Sequence, residues 1–140
     1  MRPATRGAVV WAYIVALAAL LALDGLWLGL LASGWYEREM GSLMASPIRV
    51  GPAAAFYLAY PIAILYLAVL GRDSGRDAAT RGAVLGLAAY GTYNLTGLAV
   101  IRDWPVFLSL VDMLWGALAT ATSAAVGHAM LAFEASRRRA

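Results

Sequence analysis

Residues 8–33 carry a single charge, Asp24, and a run of that length and polarity limits what the chain can become. About 20 apolar residues cross a hydrocarbon core as a helix, so this stretch reads as a membrane span. Moving an ionised Asp to the bilayer centre costs at least ~2.5 to 3.5 kcal/mol on insertion scales. Acids in spans therefore face protein or trapped water and mark a site. A related pattern recurs later. Leu23-Asp24-Gly25-Leu26-Trp27-Leu28-Gly29 and Asp112-Met113-Leu114-Trp115-Gly116 both place Trp three residues after Asp, which on a helix puts the two side chains on one face.

The rest of the chain follows the first run. Of 140 residues, 62% are hydrophobic and 14% charged, and the mean hydropathy is +0.71, too apolar for an ordinary soluble domain of this size. The charges cluster between apolar runs. The sequence predicts an all-α integral membrane four-helix bundle, a single transmembrane domain over 1–140, with spans at 8–33, 53–70, 82–101 and 105–133. Although the first run follows Arg2 and Arg6, it exceeds the ~7 to 15 residues of a signal peptide's apolar region and is expected to be retained. Segment 35–48 joins spans one and two; Met40, Leu43 and Met44 are spaced for a short helix lying on the membrane, and an amphipathic tether fits them equally well. Residues 71–77 are expected to form a polar loop, with Asp77 and Arg81 helping to start the third helix. Gly25/Gly29 and Gly82/Gly86 have the spacing that lets membrane helices approach closely. Pro61 is expected to kink the second span.

All eleven basic residues are Arg, and they sit in loops and at termini rather than along a face interleaved with aromatics, which argues against nucleic acid. With the N-terminus inside, Arg2, Arg6, Arg72, Arg76, Arg81 and Arg137 to Arg139 are cytoplasmic, against Arg38, Arg49 and Arg102 outside. The positive-inside rule then places both termini in the cytoplasm, in a bacterial inner membrane. The chain has no Cys, which excludes disulfides and thiolate chemistry.

Counting ~1.5 Å per helical residue, Asp24, Tyr60, Asn94 and Asp112 fall at one level, roughly 10 to 13 Å below the outer surface. Four helices contributing their most polar groups at one depth suggest a shared pocket for ligand binding or proton handling, walled by Trp27 and Trp115 and lined by Tyr57, Tyr60, Tyr93 and Asn94. Two nearby carboxylates in low dielectric disfavour double ionisation, so one can carry a proton. The competing reading makes the same acids packing bonds to Tyr, Trp or Asn, worth ~0.6 kcal/mol each. His128, near the other end of its span, reads as interfacial. No metal is expected from two Asp without nearby His or Cys, and no cofactor.

These motifs, with Trp35-Tyr36-Glu37-Arg38, Gly41-Ser42-Leu43-Met44, Phe56-Tyr57-Leu58-Ala59-Tyr60 and Tyr90-Gly91-Thr92-Tyr93-Asn94-Leu95-Thr96, resemble a bacterial family of small four-span membrane proteins of unknown function. The resemblance covers nearly the whole chain and implies the four-span fold. It also implies Asp in many relatives where this chain has Asn94. It brings no activity with it. Three function classes follow: a protein binding or transporting a small or lipid-like ligand through the polar pocket, a membrane enzyme acting on a lipid or isoprenoid, and a structural subunit of a membrane assembly. The first leads, because the chain shows no nucleophile and base pairing, Gly-rich phosphate loop or basic cluster at pocket depth. The expected partners are membrane lipid and either a second copy, as a homodimer, or another membrane protein.

Overall fold

The computed structural model describes residues 4–138, so Arg2 and Arg139 of the orientation argument lie outside it. Every regular element among the described residues is helical. Helix α1 (Arg6–Leu26) widens into a π-helical turn (Trp27–Leu31), and α2 (Ser33–Met40) follows with a single 3-10 turn at Gly41–Leu43. Next come α3 (Val50–Ile64) with a π-helical turn at Leu65–Val69, α4 (Gly75–Val100) and α5 (Val106–Arg137). Four of the helices are long and apolar enough to cross a membrane: Arg6–Leu31, Val50–Val69, Gly75–Val100 and Val106–Arg137.

Local chemistry sets the ends. Thr5 accepts the Ala8 backbone N–H at α1, and Ser74 accepts that of Asp77 at α4. Arg81 closes on Asp77 at 3.1 Å one turn further on. With that cap and pair, α4 begins at Gly75, so two polar turns project ahead of the apolar stretch expected from 82 and the predicted loop is shorter. Helix α5 likewise continues past Phe133 to Arg137. Gly71, at φ +71°, supplies the left-handed turn that follows α3.

Lipid tails are as apolar as the helices, so close packing rather than hydrophobic exclusion must hold the bundle. Helix α5 lies at its centre, with α4 and α1 packed along it and α3 closing the side. A Cβ on Gly82 would lie 2.8 Å from the Thr120 carbonyl oxygen, and one on Gly86 would collide with the Gly116 carbonyl. These glycines bring α4 backbone-to-backbone with α5, as their spacing predicted. Gly25 and Gly29 do not behave this way. Nothing lies within 4 Å of a Cβ at either, because α1 turns Ala12, Ala16 and Leu20 inward instead.

Polar side chains inside the helices are satisfied locally. Thr92, Ser109, Thr122 and Ser123 each donate to the carbonyl four residues back. Near Pro61, which lacks an N–H, the Tyr13 hydroxyl of α1 donates to the Leu58 carbonyl at 3.0 Å. The π-helical turn then begins four residues beyond the proline.

Candidate functional site

Asp24 and Asp112, 5% and 6% exposed, each hold two hydrogen bonds, in two sets that the stacked Trp27 and Trp115 bring side by side. Asp24 sits in the last turn of α1. Its Oδ1 accepts the Trp115 indole N–H from α5 at 3.1 Å, and its Oδ2 accepts the Tyr57 hydroxyl from α3 at 3.0 Å. Asp112 Oδ1 accepts the Tyr36 hydroxyl from α2 at 2.7 Å, and Oδ2 accepts Asn94 Nδ2 from α4 at 2.7 Å. Asn94 also donates to the Tyr90 carbonyl, which fixes the amide's direction. All five helices therefore contribute a polar group. Among the described residues neither carboxylate has a cationic partner, so neutral donors alone compensate these acids.

The tryptophans stack, ring centroids 4.9 Å apart and planes 13° from parallel, which brings the two Asp-x-x-Trp faces together. They are not equivalent. Trp115 crosses to Asp24, whereas the buried Trp27 N–H lies near the Tyr36 oxygen without meeting hydrogen-bond geometry. Trp27 opens the π-helical turn that ends α1, a feature frequent at functional sites.

The structure places the predicted residues unevenly. Asp24, Asp112, Tyr57, Asn94, Trp27 and Trp115 meet. Tyr60 is buried, but its hydroxyl bonds Thr120 at 2.9 Å rather than either carboxylate. Tyr93 is 52% exposed and packs edge-on against Trp104, centroids 5.3 Å apart, because Asn94 takes the inward position on that turn of α4. His128 reaches the Arg72 carbonyl at 3.2 Å, in the connection between α3 and α4.

Two residues of the site escaped the sequence reading. Tyr36 lies beyond the first apolar run, but α2 folds back so that its hydroxyl enters the bundle, with Trp35 against Phe107 beside it. Burial, reinforced by the neighbouring Asp112 charge, pushes the Tyr36 phenol above its ordinary value of 10.0. Tyr90 lays its ring over Gly116, where a Cβ would enter the ring itself, so the glycine after Trp115 makes room for it. Tyr90 lies one turn before Asn94 on α4, so the two share a face.

The four carboxylate oxygens of this site each accept from a side chain of a neighbouring helix. Two grooves lie elsewhere. One, of about 290 Å³, runs between α1 and α3 and is lined by Val9, Tyr13, Leu65 and Tyr66 among others. The second, of about 240 Å³, lies where the end of α2 faces the turn between α4 and α5.

Residues 9–129 match the model of the family described as Predicted membrane protein (DUF2177), and the chain belongs to that family, whose function is unknown. The match includes both Asp-x-x-Trp segments. No curated protein and no solved structure matches the chain.

Proposed function

We propose that this member of the DUF2177 membrane-protein family is a binding or transport protein of the bacterial cytoplasmic membrane. In this reading it handles a proton, or the polar end of a small or lipid-like ligand, at the Asp24 and Asp112 cluster. Both termini face the cytoplasm, since eight of the eleven arginines lie on the side of the termini and the α3–α4 connection.

The supporting observation is the kind of donor each acid keeps. One oxygen of each faces an N–H that can only donate, Trp115 for Asp24 and Asn94 for Asp112; the other faces a tyrosine hydroxyl, which can donate or accept. A proton arriving on either carboxylate therefore has an acceptor already in place. The hydroxyl rotates and no helix moves. A ligand hydroxyl could replace the tyrosine in the same geometry.

Packing alone is a poor account of this cluster. Each ionised acid in a span costs at least ~2.5 to 3.5 kcal/mol, whereas an interhelical hydrogen bond in a membrane returns ~0.6 kcal/mol. Four such bonds fall short of offsetting two acids, and apolar side chains would avoid the cost altogether.

Carboxyl infrared titration of the wild type, Asp24→Asn and Asp112→Asn tests the reading. The two acids are expected to act as one site, so that each substitution alters the carboxyl band of the acid that is left. Substitutions that each remove one band and leave the other unchanged would overturn it.

A further inference from the structure

The far end of α2 and the turn joining α4 to α5 carry four charges around the 240 Å³ groove: Arg38 and Glu39 on one side, Arg102 and Asp103 on the other. The ion pairs among the described residues are Arg81 with Asp77 and Arg137 with Glu134, so these four do not neutralise one another. Two features limit their freedom. Arg38 Nε donates to the Gly34 carbonyl at 3.0 Å, which steadies the side chain and leaves its terminal amino groups free. Asp103 has φ 60°, a left-handed conformation uncommon outside glycine, so it stands in a defined turn rather than a loose one.

Two guanidinium groups on one groove favour a bridging anion, and two carboxylates beside them favour a cation. One occupant carrying both charges meets the two demands at once. The groove lies just beyond Val100 and before Val106, where two membrane-crossing helices end. Met40 and Leu43 form its apolar edge, so an occupant with acyl chains can continue into the lipid. Guanidinium suits phosphate oxygens through paired N–H donors. A primary ammonium can donate to carboxylates, which a quaternary one cannot.

We propose that this groove binds the headgroup of a zwitterionic phospholipid bearing a primary ammonium, its phosphate between Arg38 and Arg102 and its ammonium toward Glu39 and Asp103. The site is separate from the carboxylate cluster and stands whether or not that cluster handles protons. It has a consequence for it all the same. Arg38 lies two residues after Tyr36, so a headgroup bridging Arg38 to Arg102 holds α2 down over Asp112.

The test uses the full chain in lipid nanodiscs holding equal fractions of phosphatidylethanolamine, phosphatidylcholine and phosphatidylglycerol, with the retained lipid read by native mass spectrometry. Phosphatidylethanolamine is expected to be retained ~5-fold over either of the others, the size of one favourable charge contact at a membrane surface. Arg38→Gln with Arg102→Gln should abolish the preference while circular dichroism shows helical content unchanged. Equal retention of the three lipids by the wild type, as from arginines that merely pair with the acids, would overturn the proposal. So would a preference for phosphatidylglycerol, or a preference surviving the double substitution. Soluble glycerophosphoethanolamine at the lipid's concentration should not compete; displacement by it would reject a membrane lipid as the occupant.

Discussion

The indole N–H of Trp115 donates to Asp24 across 91 residues of sequence, while Trp27, stacked on the same ring, has no acceptor for its own N–H. The two Asp-x-x-Trp segments therefore have unequal energetic roles. Trp115→Phe keeps a ring for the stack and strips a donor from a buried acid, which should cost ~1 to 2 kcal/mol. Trp27→Phe gives up the same ring atoms but no hydrogen bond, and should cost ~1 kcal/mol less than Trp115→Phe. Unfolding in mixed micelles would reveal the asymmetry, and equal losses in both variants would contradict it.

The glycines make an equally sharp contrast. Gly86→Ala drives a methyl into the Gly116 carbonyl, a backbone atom that cannot swing aside, and should destabilise by ~3 kcal/mol or more. Gly25→Ala and Gly29→Ala meet nothing within 4 Å and should leave thermal unfolding within ~0.5 kcal/mol of the wild type. A comparable drop at Gly25 would mean that α1 packs through this face after all.

That contrast also marks where sequence legibility ended. Spacing of four identifies a helix face that could pack closely, yet Gly25/Gly29 and Gly82/Gly86 share it, and only the arrangement of helices decides which pair finds a partner. Asp24 and Asp112 were legible because a charge in an apolar run is costly enough to require company. Tyr36 was not, since it lies outside the runs and its direction depends on how α2 folds back, for which the sequence has no periodic signal. The start of α4 is legible in the chain: Ser74 followed by Asp77 three residues on is a capping pattern, although the polar residues around it suit a loop as well.

Tyr36 supplies a pH prediction. Its phenol is held above 10.0, so the folded state resists ionisation that the unfolded chain undergoes near that pH. A group raised in this way contributes stability that is complete below the unfolded value and is lost as pH rises above it. Tyrosinate absorbance of the wild type and of Tyr36→Phe should therefore coincide through pH ~10. Loss of one tyrosine's amplitude near pH ~10 in the variant would show that Tyr36 titrates as an exposed phenol and that α2 does not cover Asp112.

Orientation can be checked cleanly because the chain has no native Cys. In intact cells, Glu37→Cys should react with an impermeant maleimide, and Asp73→Cys only after permeabilisation. The reverse pattern would invert the proposed topology.

The choice between a working site and a packing device rests on what Asn can replace. At position 24, Asn can still accept the Trp115 N–H through its oxygen and donate its amide to Tyr57, whose hydroxyl turns round to accept. At position 112 the same exchange satisfies Asn94 and Tyr36. Both Asn variants, and the double variant, should thus unfold within ~1 kcal/mol of the wild type, while Asp24→Ala leaves the Trp115 donor buried without an acceptor and should lose ~1 to 3 kcal/mol. Protonation is different, because an amide does not titrate in this range. The stacked Trp27 and Trp115 rings report on the cluster, so wild-type tryptophan fluorescence should change with pH as a carboxylate beside them gains a proton, and the double Asn variant should lose that change at unaltered stability. A flat wild-type profile, or a pH response that persists in the double variant, would leave the acids as helix-packing bonds.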